Sequence, residues 1–218
     1  MKMLCVFSVT DRLKYIGHLD LMRAMQRALR RSGLPIRFSQ GFNPHILLSF
    51  AAPLSVGMEG MREVMEIPIE GDVSPEMFVE ILNQSLPALI RCQSARLVED
   101  SSPAPMSQLW AANFSILPLE YQDEIMAAVP VLLSKTSIPA MRKSKKGMVE
   151  IDLRPLIHNV LVKDNSIQAL LALHSSGTCK PDLFIKALSQ CAGLEAPVPC
   201  KVTRKALYTQ QFSPLEDM

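Results

Sequence analysis

The segment from His18 to Ser32 constrains the fold more than any other part of the chain. Placed at about 100° per residue, Leu21, Met22, Met25, Ala28 and Leu29 fall on one side of a helix, and Arg23, Arg27, Arg30 and Arg31 fall within one arc on the other. Gly33 stands where a helix takes a left-handed stop, and Pro35 prevents continuation. A helix with a single apolar stripe has to be laid on a second layer of structure.

The flanking segments supply that layer. Residues 3–9 carry β-prone Leu4, Val6 and Val9, and Glu63–Ile69 alternates in type. Shorter strands are expected at Ile36–Phe38 and Ile46–Phe50. A second helix opens with Ser74 as N-cap and Pro75 at its first position and runs to about Leu86, before a strand from Leu89 to Val98. This order implies a split β-α-β half of the ferredoxin-like kind, an antiparallel sheet with helices on one face. Ser101-Ser102-Pro103-Ala104-Pro105 reads as a linker over 101–106, separating a domain at 1–100 from a second at 107–218. There a similar order recurs. Strands are expected at 113–117, 148–153, 159–162, 167–173 and 201–209, with helices at 120–133 and 181–191. The fold class expected is α+β, two ferredoxin-like split β-α-β halves.

With 48% hydrophobic residues the chain can bury a substantial core, and its net charge of +2 gives no global pull toward polyanions. The local balance differs. Between Arg12 and His45 there are seven Lys or Arg residues and one acid, a net of +6. Two readings fit the row Arg23, Arg27, Arg30, Arg31: a solvated helix face, or a stripe that tracks phosphates through forked guanidinium contacts. Lys14 stands just before it.

The turn Phe38-Ser39-Gln40-Gly41-Phe42-Asn43-Pro44-His45 follows. Gly41 can adopt positive φ, and Asn43 is held extended by Pro44. Either the polar side chains satisfy the loop's own backbone, or Gln40, Phe42, Asn43 and His45 meet a ligand beside the basic helix, Phe42 stacking on an unpaired base. His18, at the helix start, is either a structural half-buried ring or a neutral imidazole able to accept a proton. A catalytic alternative pairs His18 with His45 as acid and base on a phosphate- or carboxylate-bearing substrate. A third possibility is a structural interaction domain. A second basic loop, Arg142, Lys143, Lys145 and Lys146, is either solvated or an extension of an anion-binding surface.

The five cysteines, Cys5, Cys92, Cys179, Cys191 and Cys200, form no Cys-x-x-Cys pair, and no metal site is expected. No Gly-rich phosphate loop, zinc-protease motif or Gly-x-Ser-x-Gly elbow is present. Without a signal-peptide core or a run long enough to span a bilayer, a cytoplasmic protein with reduced thiols is expected.

The block from Lys14 to Gly57 resembles a known signature. It comprises Lys14–Ala24, Arg27–Pro35, Phe38–His45, Leu48–Ala51 and Pro53–Gly57. Together these resemble the N-terminal part of the bacterial radical-SAM-linked family, domain of unknown function 2344. Gly17 departs from the serine expected there, and Ile46 from a second proline. The resemblance implies an accessory protein that acts with a separate radical SAM enzyme and binds or presents an RNA substrate, tRNA or rRNA, for modification. It implies no cofactor in this chain. The iron-sulfur cluster and S-adenosylmethionine would belong to the partner enzyme.

Overall fold

The computed structural model describes residues 1–144 and 147–218. The chain divides into two compact units, Met1–Leu109 with Ala206–Met218, and Trp110–Lys205. Both are mixed α+β.

The first unit begins with β1 (Lys2–Val9), a 3-10 turn at Asp11–Tyr15 and helix α1 (His18–Ser32). There follow β2 (Ser49–Phe50), β3 (Glu59–Pro68), α2 (Pro75–Ser85), β4 (Ile90–Val98) and a short helix α3 (Pro105–Gln108). The strands lie in the order β4-β1-β3-β2, every pair antiparallel. β1 is central and buried along its whole length. On one face, Phe7 meets Phe50 at 5.4 Å between ring centroids, and α1 and α2 lie side by side. Leu21, Met25, Ala28 and Leu29 of α1 point inward with Phe78 and Leu82 of α2. Periodicity thus places the helix as expected: Gly33 closes it at φ 70°, a conformation that costs glycine little. Ser74 caps α2 by accepting the Met77 N–H at 3.2 Å.

The other face of β1 is covered by chain from two distant places. Lys2 Nζ donates to the Ser102 carbonyl at 2.9 Å and pairs with Glu66 at 3.2 Å. Near the end of the chain Leu215 is fully buried, Arg96 Nε donates to the Glu216 carbonyl at 2.9 Å, and Arg62 Nε donates to the Glu216 carboxylate at 2.8 Å. Sequence reading breaks the chain at 101–106 and assigns everything after it to a second half. These contacts instead place 101–109 and 206–218 with the first unit.

Two expected strand segments are not ladders. Ile36 bridges Ile69 and Phe38 bridges Ile46, but only as isolated pairs, and of the expected Ile46–Phe50 strand only Ser49–Phe50 pairs as β2. Pro35 has no N–H to offer at one end, and the Gly41–Pro44 tip interrupts the other.

The second unit contains β5 (Ala111–Pro118), α4 (Gln122–Ser134), β6 (Pro139–Ser144) and β7 (Gly147–Asp152). Then come β8 (Ile157–Lys163), β9 (Ser166–His174), β10 (Gly177–Thr178), α5 (Pro181–Cys191) and β11 (Cys200–Tyr208), whose last residues belong to the first unit. The sheet order is β10-β9-β5-β11, with β8 also on β9. β6 and β7 form a separate two-stranded hairpin. The expected basic loop is therefore partly strand: Arg142 and Lys143 lie in β6, opposite Val149 and Met148. α4 and α5 pack together, and each buries apolar residues, among them Val129 and Leu132 of α4 and Phe184 and Leu188 of α5.

Candidate anion-binding face of the first unit

The outer side of α1 is open. Arg23, Arg27, Arg30 and Arg31 line it, and a shallow groove is formed by Arg23, Gln26, Arg27 and Arg30. The four guanidinium groups are not equivalent. Arg23 pairs with Asp20 at 3.0 Å, both side chains 63% exposed, an arrangement worth little against solvation. Arg31 Nη2 donates at 2.7 Å to the Ser85 carbonyl at the end of α2. Among the described residues, no hydrogen bond or ion pair engages Arg27 or Arg30.

The local excess of +6 is only partly realised. Arg37 forks onto Asp100, Nη2 lying 3.3 Å from Oδ2, and also donates to the Ile69 carbonyl at 3.3 Å. Lys14 pairs with Glu59 at 3.8 Å. Both acids lie outside the stretch from Arg12 to His45. Hydrogen bonds from the chain's amino group and from Arg37 hold the Asp100 carboxyl below the usual carboxylate range.

The Phe38–Ile46 loop divides between the two sequence readings. Ser39 and His45 satisfy one another. The His45 N–H donates to Ser39 Oγ at 3.0 Å, the ring Nδ1 lies 2.7 Å from the same oxygen, and the Ser39 N–H donates to the His45 carbonyl at 2.8 Å. Phe42 projects fully into solvent, and Asn43 is exposed beside it. Gln40 stands at the start of the same tip. Gly41 at φ 121° makes the tip possible. His18 packs edge-on against Phe50 at 5.6 Å, with Nδ1 buried and without a hydrogen bond. Among the described residues no hydrogen bond joins the His18 and His45 rings. Of the second basic cluster, Arg142 is half-buried and Lys143 exposed in the second unit, whereas Lys145 and Lys146 lie outside the described residues.

Sequence reasoning missed a cluster in the second unit. The single tryptophan, Trp110, stacks on His174 with ring centroids 4.0 Å apart and planes 11° from parallel. His174 Nδ1 lies 2.9 Å from Ser176 Oγ. His158 is the extra residue of a β-bulge between Ile157 and Asn159. Burial, and then the nearby charge of His174, push its pKa down. Bulges often re-aim a side chain in this way. The three rings come from positions far apart in sequence, so no local spacing announces them. Among the described residues, no group of three or more His, Cys, Asp or Glu is placed to hold a metal ion. Burial drives the Cys179 thiol up to about 12 and that of Cys200 to about 11, so neither is a ready thiolate.

The molecule is therefore an α+β protein with an open cationic helix face in its first unit. No described helix is long and apolar enough to cross a membrane. The chain belongs to the family of uncharacterized proteins conserved in bacteria known as DUF2344, whose pattern matches residues 2–181. No curated protein matches it.

Proposed function

We propose that this chain is an RNA-binding accessory protein that presents a tRNA or rRNA to a separate radical SAM enzyme. One observation carries the RNA part. Arg27 and Arg30 stand on the outer face of a rigid helix with no carboxylate engaging them among the described residues. Such cations keep their full attraction for a polyanion. Arg23, released from a weak surface pair, and Gln40, Phe42 and Asn43 of the loop extend the set. The radical SAM partner is supported by the resemblance of the Lys14–Gly57 block, and cluster and S-adenosylmethionine would reside in that partner. We read the first unit as a split β-α-β domain on its strand order β4-β1-β3-β2.

Fluorescence anisotropy with a labelled RNA tests the first part. Binding should weaken steeply with salt, and R27E/R30E should abolish it at moderate salt. Single-arginine variants should lower the slope of log K against log salt by about 0.7 for each phosphate no longer neutralised. Binding unaffected by the double reversal sinks the reading. The second part predicts that a radical SAM enzyme is captured from the source cells by tagged, RNA-competent protein. Repeated capture without one argues against that partnership.

A further inference from the structure

We infer that the outer edge of β4 is a docking site for an extended segment of another protein, one whose side chains alternate between apolar and carboxylate-bearing. β4 is the outermost strand of its sheet, and the register fixes which of its backbone groups face away from β1. The Ile69 N–H donates to the Met1 carbonyl, whereas the Val64 carbonyl accepts from Ala51, on the side of β3 away from β1. Pairing with β3 therefore uses Met3, Cys5 and Phe7 of β1. Pairing with β4 uses Lys2, Leu4 and Val6, opposite Val98, Arg96 and Ser94. The N–H and C=O groups of Ala95 and Leu97 are left pointing outward. Among the described residues no hydrogen bond engages them. Proteins usually cover or charge such an edge. Here the guard is local: the Asn83 side chain takes both outward groups of Cys92 and stops there.

A cleft opens on each face of this edge. Beside α2, Leu97 lines one of about 440 Å³ with Ile69, Val73 and Met77. Neighbouring strand residues point to opposite faces, and Arg96 and Val98 line the other, of about 370 Å³, with Leu4 and Pro103. Adjacent residues of an added strand therefore enter different clefts, one apolar and one at Arg96. Among the described residues no ion pair engages Arg96. Its Nε serves the Glu216 carbonyl, and its Nη2 is buried without an acceptor. Of the acids lining the same cleft, Glu66 is taken by Lys2 at 3.2 Å, and Glu99 lies past the end of β4. The unmet charge beside the open residues is thus positive, and an acidic side chain answers it. A second copy of this chain fits less well. The antiparallel register that matches both open residues of each copy, Ala95 against Leu97, sets Arg96 opposite Arg96, and like charges so placed repel.

The probe is a labelled, end-blocked heptapeptide alternating valine and glutamate, titrated with the full chain by fluorescence anisotropy. Wild type should bind it. A95P removes one outward N–H without touching the ladder to β1, and should weaken binding about tenfold, the scale of one hydrogen bond. M77E, at an exposed position, should weaken it too. R96Q should no longer distinguish the glutamate peptide from its glutamine counterpart. Circular dichroism and thermal melting verify that each variant is folded. N-methylation of the valine amides alone should abolish binding by an antiparallel strand, and of the glutamate amides alone by a parallel one. If wild type does not bind, or if neither methylation matters, the docking edge is overturned. A lysine-for-glutamate peptide binding equally well overturns the acidic partner. A dimer in sedimentation that A95P dissociates overturns the proposal in favour of a second copy. A95P should leave RNA binding unchanged, so this proposal and the RNA reading fail separately.

Discussion

Trp110 and His174 stack face to face at 4.0 Å across the start of β5 and the end of β9. The strand register that makes this possible is set by Ala111 opposite Ala172. The bulge at His158 brings a second imidazole near enough to feel the charge of the first. With one tryptophan in the chain, its emission reports on this cluster alone.

The first prediction concerns pH. The pKa of His158 is lowered in the folded protein, so the unfolded state binds the proton more readily. Stability is then greatest above the ordinary histidine value, about 6.5, and is lost as pH falls through that value toward the folded one. Urea melts followed by Trp110 emission between about pH 8 and pH 5 should show this slope. H158N should flatten it. An unchanged slope in H158N would remove His158 as its source.

Asp152 gives a second acid-side dependence. Its Oδ1 accepts the N–H of Ile138 at 2.7 Å and of Arg154 at 2.9 Å, closing the base of the β6–β7 hairpin. These hydrogen bonds lower its pKa. Their stabilisation is present above the usual carboxylate range, about 3.9, and disappears as pH falls through the folded value. D152A should lower the melting temperature at neutral pH and converge with wild type in acid. A constant difference across pH would contradict the assignment.

Asn83 clasps β4 as a backbone would. Its Nδ2 donates to the Cys92 carbonyl at 2.8 Å and its Oδ1 accepts the Cys92 N–H at 2.9 Å. This occurs where Gln93 is extra in the pairing with β1, Val6 facing Ser94 and Phe7 facing Cys92. N83A should destabilise the protein by about 2 kcal/mol, because it strands two partly buried backbone groups. N83D should recover only the accepting half. Chemical denaturation of both variants checks the order.

Ser74 is the simplest local test. Its hydroxyl accepts the Met77 N–H ahead of Pro75, and S74A should cost about 1 kcal/mol. S74D should restore the cap. A neutral S74A would mean that packing by Phe78 and Leu82 alone fixes the start of α2.

Thiol accessibility gives a fifth prediction. Cys5, Cys92 and Cys179 are at most 3% exposed, whereas Cys191 and Cys200 are half-buried. Burial keeps the Cys200 thiol protonated up to about 11. Alkylation of native protein near neutral pH, read by mass spectrometry, should modify Cys191 first. Early labelling of Cys179 would show that the second unit opens more readily than its packing implies.

Local rules made α1, α2 and α5 legible. The boundaries of α1 are written in Gly33 and Pro35, that of α2 in Ser74 and Pro75, and that of α5 in Pro181, since caps and stops act within one helical turn. The stretch from Pro35 to Leu48 was less legible. A short β-prone segment forms a ladder only if a partner edge is offered in register, and here only isolated bridges result. Arg142 and Lys143 lie in strand because β7 is there to pair with them.

The sequence by itself determined that α1 has an apolar and a cationic face, because a period of 3.6 residues leaves no other arrangement of those side chains. Only the tertiary structure decided which cations stay open. Arg37 is taken by Asp100, 63 residues away, and Arg31 by the carbonyl of Ser85 at the end of α2, 54 residues away, while Arg27 and Arg30 meet no acid among the described residues. It alone also gathered Trp110, His158 and His174. Charge compensation and ring packing depend on distances in space, and a linear pattern carries those only within a turn or a strand pair.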